Sequence, residues 1–233
     1  MQLPDATNFS LHNDTLLCEG FCLIPKVLNE SDCLEFIAQY DQEQLYRSTI
    51  EMKRYNFGRG QYRYFAAPLP ETIMQLRRGF YELLSKPANT WAKLTKVNTT
   101  YPATYAEFEA SQHQQNQSKP TPLVLRYKKG DYNCLHQDIS GEFYFPYQII
   151  FVLSQQEEDF EGGEIILTQQ RPRMQTIPHI IKANRGDCLI ISSNYHPCQG
   201  TRGTYRTTFK HGVGKITEGE RYSLGIIFHN YKN

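Results

Sequence analysis

The sequence predicts an α+β protein, with a mostly helical N-terminal portion over residues 1–120 and a β-rich core over residues 121–233. Amphipathic stripes at helical spacing are confined to the first half. The second half holds about eight short β-type runs separated by turn signals with no helix between them, the pattern of a sandwich or a barrel-like jelly roll. The 16 Tyr and 13 Phe, against one Trp, favour β-structure and a walled pocket. At 233 residues the chain has room for one sizeable core, so both portions are read as one domain.

In order along the chain, Leu16 to Ile24 reads as an opening strand closed by Pro25. Asn29 suits an N-cap, with Asp32 as its capping-box partner, ahead of a stripe of Leu34, Ile37, Ala38 and Leu45. A second helix begins near Pro70, a residue tolerated in a first helical turn, with the stripe Ile73, Leu76, Phe80, Leu83 and Leu84. Between them, Lys53 to Phe65 interleaves basic and aromatic residues around two glycines. Ala103 to Ser118 drifts into a Gln-rich stretch, read as a solvated helix end or loop. The β-type runs are Leu123–Tyr127, Tyr132–His136, Tyr147–Leu153, Glu164–Leu167, His179–Ile181, Cys188–Ile191, Tyr205–His211 and Tyr222–Phe228. Turns are expected at Lys129-Gly130, Glu161 to Gly163, Gly186-Asp187 and Glu218 to Glu220.

A net charge of +1 gives no global field to recruit nucleic acid or an anionic membrane, so any basic surface must be local. The start, Met1 to Asp5, lacks the charged and apolar regions of a secretory signal. No apolar run approaches the roughly 20 residues needed to cross a bilayer, so no membrane partner is expected. The six cysteines (Cys18, Cys22, Cys33, Cys134, Cys188 and Cys198) form no CxxC pair, which favours reduced thiols in a cytoplasm over a disulfide framework or a structural zinc site.

The chemistry-bearing residues gather late in the chain. His136 and Asp138 are two apart, a spacing that on a strand places both side chains on one face. An imidazole and a carboxylate there are two members of a 2-His-1-carboxylate facial triad, which binds iron(II) and leaves positions open. Alone the pair is weak, because short motifs recur by chance. His211 is the candidate third ligand, and Arg221 follows ten residues later. A guanidinium grips a carboxylate bidentately, which suits the far end of a dicarboxylate, although an ordinary surface ion pair is the plain alternative. His211 and Arg221 are expected on consecutive antiparallel strands joined by the Glu218–Glu220 turn. His196 is a rival ligand in a segment that reads as a loop, while His12, His113, His179 and His229 read as ordinary polar residues.

The string Arg126-Tyr-Lys-Lys-Gly-Asp-Tyr-Asn-Cys-Leu-His-Gln-Asp138 resembles the metal-binding strand pair of Fe(II)/2-oxoglutarate oxygenases. Its Arg-Tyr, Gly130 and Leu-His-Gln-Asp are similar to the AlkB-type nucleic-acid demethylases, whereas Phe160-Glu-Gly-Gly-Glu164 resembles prolyl-hydroxylase-like members. His211 followed by Arg221-Tyr-Ser-Leu matches both branches. The resemblance implies a double-stranded β-helix (jelly-roll) core, with His136, Asp138 and His211 on Fe(2+). It also implies Arg221 on the distal carboxylate of 2-oxoglutarate and a hydrogen bond from Tyr127 to the same co-substrate. A core strand aromatic is the plain reading of Tyr127. The implied activity is a dioxygenase that consumes O2 and couples oxidative decarboxylation of 2-oxoglutarate to C–H hydroxylation, with ascorbate as a stimulant. Ile227 stands where AlkB-type enzymes carry a second arginine, and Ser192 to Lys210 is longer than the usual connection, as for a lid, a substrate-contacting loop or a neutral insertion. Arg171-Pro-Arg173 with Arg221-Tyr-Ser-Leu resembles a bacterial group associated with oxidation of damaged nucleic acid.

Three functions follow. The first is oxidative demethylation of alkylated, single-stranded or damaged nucleic acid, with Lys53, Arg54, Arg59 and Arg63 for phosphates and Tyr55, Tyr62 and Tyr64 for bases. The plain reading of that cluster is a structural hairpin with a solvated basic face. The second is hydroxylation of a prolyl, peptidyl or free amino-acid side chain, supported by Phe160–Glu164 and the near-neutral charge. The third is a non-enzymatic metal-binding module, which requires the triad to be vestigial.

Overall fold

The computed structural model describes residues 6–139, 143–201 and 203–233, and the start read for a leader, Met1 to Asp5, lies outside them. Asn29 caps α2 (Glu30–Gln39) through the expected box: its side chain accepts from Asp32 N–H at 2.8 Å, and Asp32 accepts from Asn29 N–H at 3.1 Å. Helix α3 (Glu71–Thr95) follows Pro70 and buries Ile73, Leu76, Phe80 and Leu84 completely. Each such side chain taken from water contributes roughly 1.5–3 kcal/mol. The apolar face continues to Trp91, whose Nε1–H donates to Tyr195 O at 2.6 Å. Helix α1 (Ala6–Glu19) includes Leu16, so the opening strand is only Phe21–Ile24, with the helix closing as Gly20 N–H returns to Leu16 O at 3.0 Å.

Helix α4 (Tyr105–Gln114) ends inside the Gln-rich stretch, and residues 113–116 are exposed as expected, but Gln112 and Gln117 at its two ends are fully buried. Gln112 Nε2 donates to Phe228 O at 3.3 Å, and Gln117 Nε2 donates to Asn230 O at 2.7 Å. These amides satisfy backbone groups at the C-terminal end of the core, where Arg77 also donates to Phe228 O at 2.8 Å.

Two facing antiparallel sheets form the double-stranded β-helix. The larger runs in the order Phe21–Ile24, Cys188–Ser192, Tyr147–Val152, Ile216–Ile227, Leu123–Lys128, Gln61–Phe65 and Tyr46–Glu51, with Phe160–Gly162 also pairing Ile216–Ile227. The smaller runs Ile177–Ile181, Ile165–Gln170, Gly203–Val213, Tyr132–His136 and Gly58–Arg59, with Tyr195–Gly200 on Gly203–Val213. All eight expected runs fall on strands, several of them longer than expected. The first 120 residues do more than cover the core with helices, since strands from them enter both sheets.

The 192–210 segment, read as a lid, a loop or an insertion, is built largely of strand over its described residues. It forms a strand hairpin in which Tyr195 pairs with Thr208 and Gly200 with Gly203, and residue 202 is outside the described set. Likewise no turn at Glu218–Glu220 separates two strands. The chain turns at Gly214 and Lys215 and crosses to the other sheet, so His211 and Arg221 lie on facing sheets rather than in one hairpin.

Period-two alternation positions the site. On the larger sheet, Ile149, Phe151, Leu224 and Ile226 pack toward the helices, with Phe80 and Phe151 edge to face at 5.8 Å. Their neighbours Gln148, Ile150, Arg221, Ser223, Gly225 and Ile227 face the space between the sheets.

Candidate active site

The smaller sheet brings two histidines together directly, because His211 and His136 are cross-strand partners with ring centroids 4.2 Å apart. Asp138 lies two residues beyond the end of its strand, so the same-face argument holds for only half of the pair. What turns Asp138 inward is Gln137, whose Nε2 donates to Phe209 O and to Asn194 Oδ1, both at 2.8 Å. That anchor points residue 137 away and leaves residue 138 on the His136 side.

The ligand-type atoms of His136, Asp138 and His211 lie within 4.8 Å of one another and could hold one metal ion. Asp138 Oδ1 is 3.5 Å from His136 Nε2, and Asp138 Oδ2 is 3.2 Å from His211 Nε2. His136 Nδ1 donates to Cys134 O at 2.8 Å, which fixes the tautomer and leaves the Nε2 lone pair free. Burial, then the neighbouring His211, lower the pKa of His136 and favour the neutral imidazole, the form that ligates metal. Burial alone would raise the Asp138 carboxyl, but the His211 hydrogen bond, His136 and Gln148 outweigh it and hold it well below the usual carboxylate range.

Across the cavity, Arg221 is 1% exposed and no carboxylate pairs with it among the described residues. Its hydrogen bond is from Nη1 to Ser223 Oγ at 3.4 Å, and its Cζ lies 5.8 Å from the ring centroids of both Tyr127 and Phe160. Burial pushes its pKa down, yet a guanidinium stays charged. An unpaired buried charge is costly, and an anion bound beside it would offset that cost. Tyr127, opposite Arg221 in register, is fully buried, and its hydroxyl accepts from Asn133 Nδ2 at 3.2 Å, so its own proton remains available. The Gly162-Gly163 turn fits tightly here: Gly163 has φ +64°, and a Cβ would come within 2.2 Å of Ile216 and 3.3 Å of the Arg221 stem.

One cavity of about 340 Å³ joins the triad to Arg221, Tyr127 and Ser223, a size suited to a small-molecule site. Tyr62, Tyr64 and Tyr231 add aromatic wall, with the Tyr64 and Tyr231 hydroxyls 2.9 Å apart. Sequence reasoning missed Gln148, which is 2% exposed, lines the cavity and touches Asp138. A lone amide inside the apolar run Tyr147-Gln-Ile-Ile-Phe-Val152 was the available signal. His196 is no rival ligand: it is fully buried on a strand, with Nε2 3.1 Å from Cys18 O.

The basic cluster is divided by the same alternation. Arg63 donates to Tyr40 O at 2.8 Å and stacks 4.7 Å from the Tyr40 centroid, while Tyr62 and Tyr64 face the cavity. Arg63 is therefore half-buried and engaged with Tyr40, unlike its exposed basic neighbours. Lys53, Arg54 and Arg59 remain exposed.

The fold is that of the iron(II)- and 2-oxoglutarate-dependent oxygenases, and the chain is an oxidoreductase of that superfamily. It belongs to the Oxygenase-NA family, described as "Oxygenase, catalysing oxidative methylation of damaged DNA", which it matches over residues 60–231. The Mycobacterium tuberculosis protein named "Uncharacterized protein Rv2227" is 36% identical over 167 residues, 71% of each chain. A Pseudomonas putida prolyl-4-hydroxylase superposes with TM-score 0.59 at 13% identity, covering 97% of this chain and 100% of that one. A Burkholderia pseudomallei oxidoreductase of the 2OG-Fe(II) oxygenase family gives 0.55 at 15% identity, covering 99% and 94%. At such identities the two structures share the fold alone. No helix among the described residues is long and apolar enough to cross a membrane.

Proposed function

We propose that this protein is a dioxygenase that demethylates alkylated nucleic acid oxidatively, with His136, Asp138 and His211 holding iron(II). In this reading Arg221 binds the distal carboxylate of 2-oxoglutarate and Tyr127 donates a hydrogen bond to the same molecule. The observation that carries it is the buried, carboxylate-free Arg221 in the same cavity as two imidazoles and a carboxylate. That donor set suits iron(II), and the lone cation suits a dicarboxylate. Bound together with O2, iron(II) and 2-oxoglutarate supply C–H hydroxylation, which on an N-methyl carbon gives a hemiaminal that releases formaldehyde.

The chain's residues bind, orient and exclude water. Cys134 O holds the His136 ring with Nε2 toward the centre, and Gln148 orients Asp138. Arg221 offers two parallel N–H donors, and its neighbours Tyr127 and Phe160 keep that end dry. Leu123, Leu125 and Ile150 line the apolar wall. The substrate class is supported by the family's description and by the exposed Lys53, Arg54 and Arg59. A cytoplasmic setting is supported by six free cysteines.

The test is formaldehyde release with Fe(II), 2-oxoglutarate and ascorbate on N-methylated oligonucleotides, beside a proline-containing peptide panel. Formaldehyde and a loss from the oligonucleotide of the mass of CH2, as N–CH3 becomes N–H, are expected. A peptide gaining one oxygen, with the oligonucleotide untouched, would move the substrate to the hydroxylase class.

A further inference from the structure

Two aromatic rings stand half in water beside the cavity, Phe57 on its lining and Tyr55 against Phe57. Tyr55 and Phe57 are 54% and 47% exposed and stack on each other, with centroids 5.5 Å apart and planes 21° from parallel. Neither belongs to a core cluster, so this exposure is not the edge of the interior packing.

The pair is held firmly beside the triad. Met52, fully buried, anchors the turn, and Phe57 N–H donates to Met52 O at 3.1 Å. Cys134 N–H donates to Phe57 O at 2.9 Å, tying the turn to the strand that ends at His136. The approach is close enough that Gly58, at φ +133°, would put a Cβ within 2.3 Å of Tyr132 O. Asn56 and Phe57 line the cavity itself, and Leu135 and Ile139, 45% and 37% exposed, continue the apolar rim.

The same turn carries cations. Lys53, Arg54 and Arg59 are exposed, and none forms an ion pair among the described residues. An apolar rim alone would suit a peptide, but unpaired cations beside stacked rings match a polyanion with flat apolar faces.

We propose that Tyr55 and Phe57 form a base-stacking platform for single-stranded nucleic acid, with Lys53 and Arg54 supplying the phosphate-facing charge. The inference rests on the nucleic-acid reading above and adds where the strand is held and in which form. A target base must leave its duplex stack to enter so small a cavity, so a rim that stacks neighbouring bases favours a strand already single.

The experiment is fluorescence anisotropy with a short fluorescein-labelled single strand and the matching duplex, over a series of salt concentrations. Tyr55→Ala and Phe57→Ala are expected to weaken single-strand binding by roughly five- to one-hundred-fold each. Tyr55→Phe and Phe57→Tyr keep a ring and are expected to bind like wild type. Arg54→Ala and Lys53→Ala should each flatten the slope of log affinity against log salt by about 0.7. Thermal unfolding of each variant checks that the fold is intact. Single-strand binding by wild type that is unmoved by both alanine variants would overturn the platform and leave the substrate reading standing. Equal affinity for the duplex would overturn the single-strand preference. No nucleic-acid binding by wild type would remove the substrate reading, and the platform with it.

Discussion

Gln148 donates its side-chain amide to Asp138 Oδ2 at 3.0 Å, and the same nitrogen lies 3.2 Å from His211 Nε2. One buried amide thus touches two of the three proposed ligands from the facing sheet. Its hydrogen bond holds the carboxylate in a fixed rotation, leaving Oδ1 toward His136.

Gln148→Leu, similar in size but unable to donate, is expected to lower affinity for Mn(II) or Co(II) by about 10–100-fold. Metal titration followed by the Co(II) absorption spectrum measures this directly. Unchanged affinity and spectrum would show that Gln148 does not orient Asp138.

Removal of the charge at Arg221 separates stability from binding. Arg221→Met replaces an unpaired buried cation with an apolar side chain, so the ligand-free protein should unfold at a higher temperature than wild type. The same variant should lose the added stability that 2-oxoglutarate gives wild type in the presence of Mn(II). Arg221→Lys keeps the charge but not the fork, and its KM for 2-oxoglutarate should rise about tenfold or more. A KM that does not move would sink the anchor assignment.

Gly163→Ala tests the tight turn over that anchor. With φ at +64° and a Cβ 2.2 Å from Ile216, the substitution is expected to cost about 1–3 kcal/mol of stability. Equilibrium urea unfolding measures the loss, and a stability equal to wild type would mean the turn relaxes freely.

Stability should fall in acid partly through His229, which is 1% exposed and accepts from Phe145 N–H at 3.4 Å. Burial, then Arg77, hold its pKa down to about 3, against an ordinary value of 6.5. The unfolded chain therefore binds this proton more readily. The contribution is complete above pH 6.5 and is lost as pH falls from there toward 3. His229→Gln should flatten the pH dependence of unfolding free energy across that window by up to about 1.4 kcal/mol per pH unit. An unchanged slope would contradict the assignment.

Much of the fold was legible because alternation and turn residues are local. The runs from Leu123 onward are bounded by Gly, Asp and Lys, and each lies on a strand. The metal-type cluster and Arg221 were legible through spacing combined with the family resemblance, neither being sufficient alone. What could not be read depends on partners distant in sequence. Gln112 reads as polar and solvated until the end of the last long strand, 116 residues on, supplies a buried carbonyl. Arg63 reads as a phosphate contact until Tyr40 takes its guanidinium. Asp138 faces inward through a side-chain anchor on Gln137, and no rule of strand periodicity reports that anchor.

The central claim is that His136, Asp138 and His211 hold an iron that turns over 2-oxoglutarate. Its most direct test is succinate release from 2-oxoglutarate with Fe(II), comparing wild type with His136→Ala. Succinate from wild type, stimulated by an N-methylated single strand and absent in the variant, is the predicted result. Equal succinate from both proteins, or none from iron-loaded wild type with any substrate offered, would contradict it.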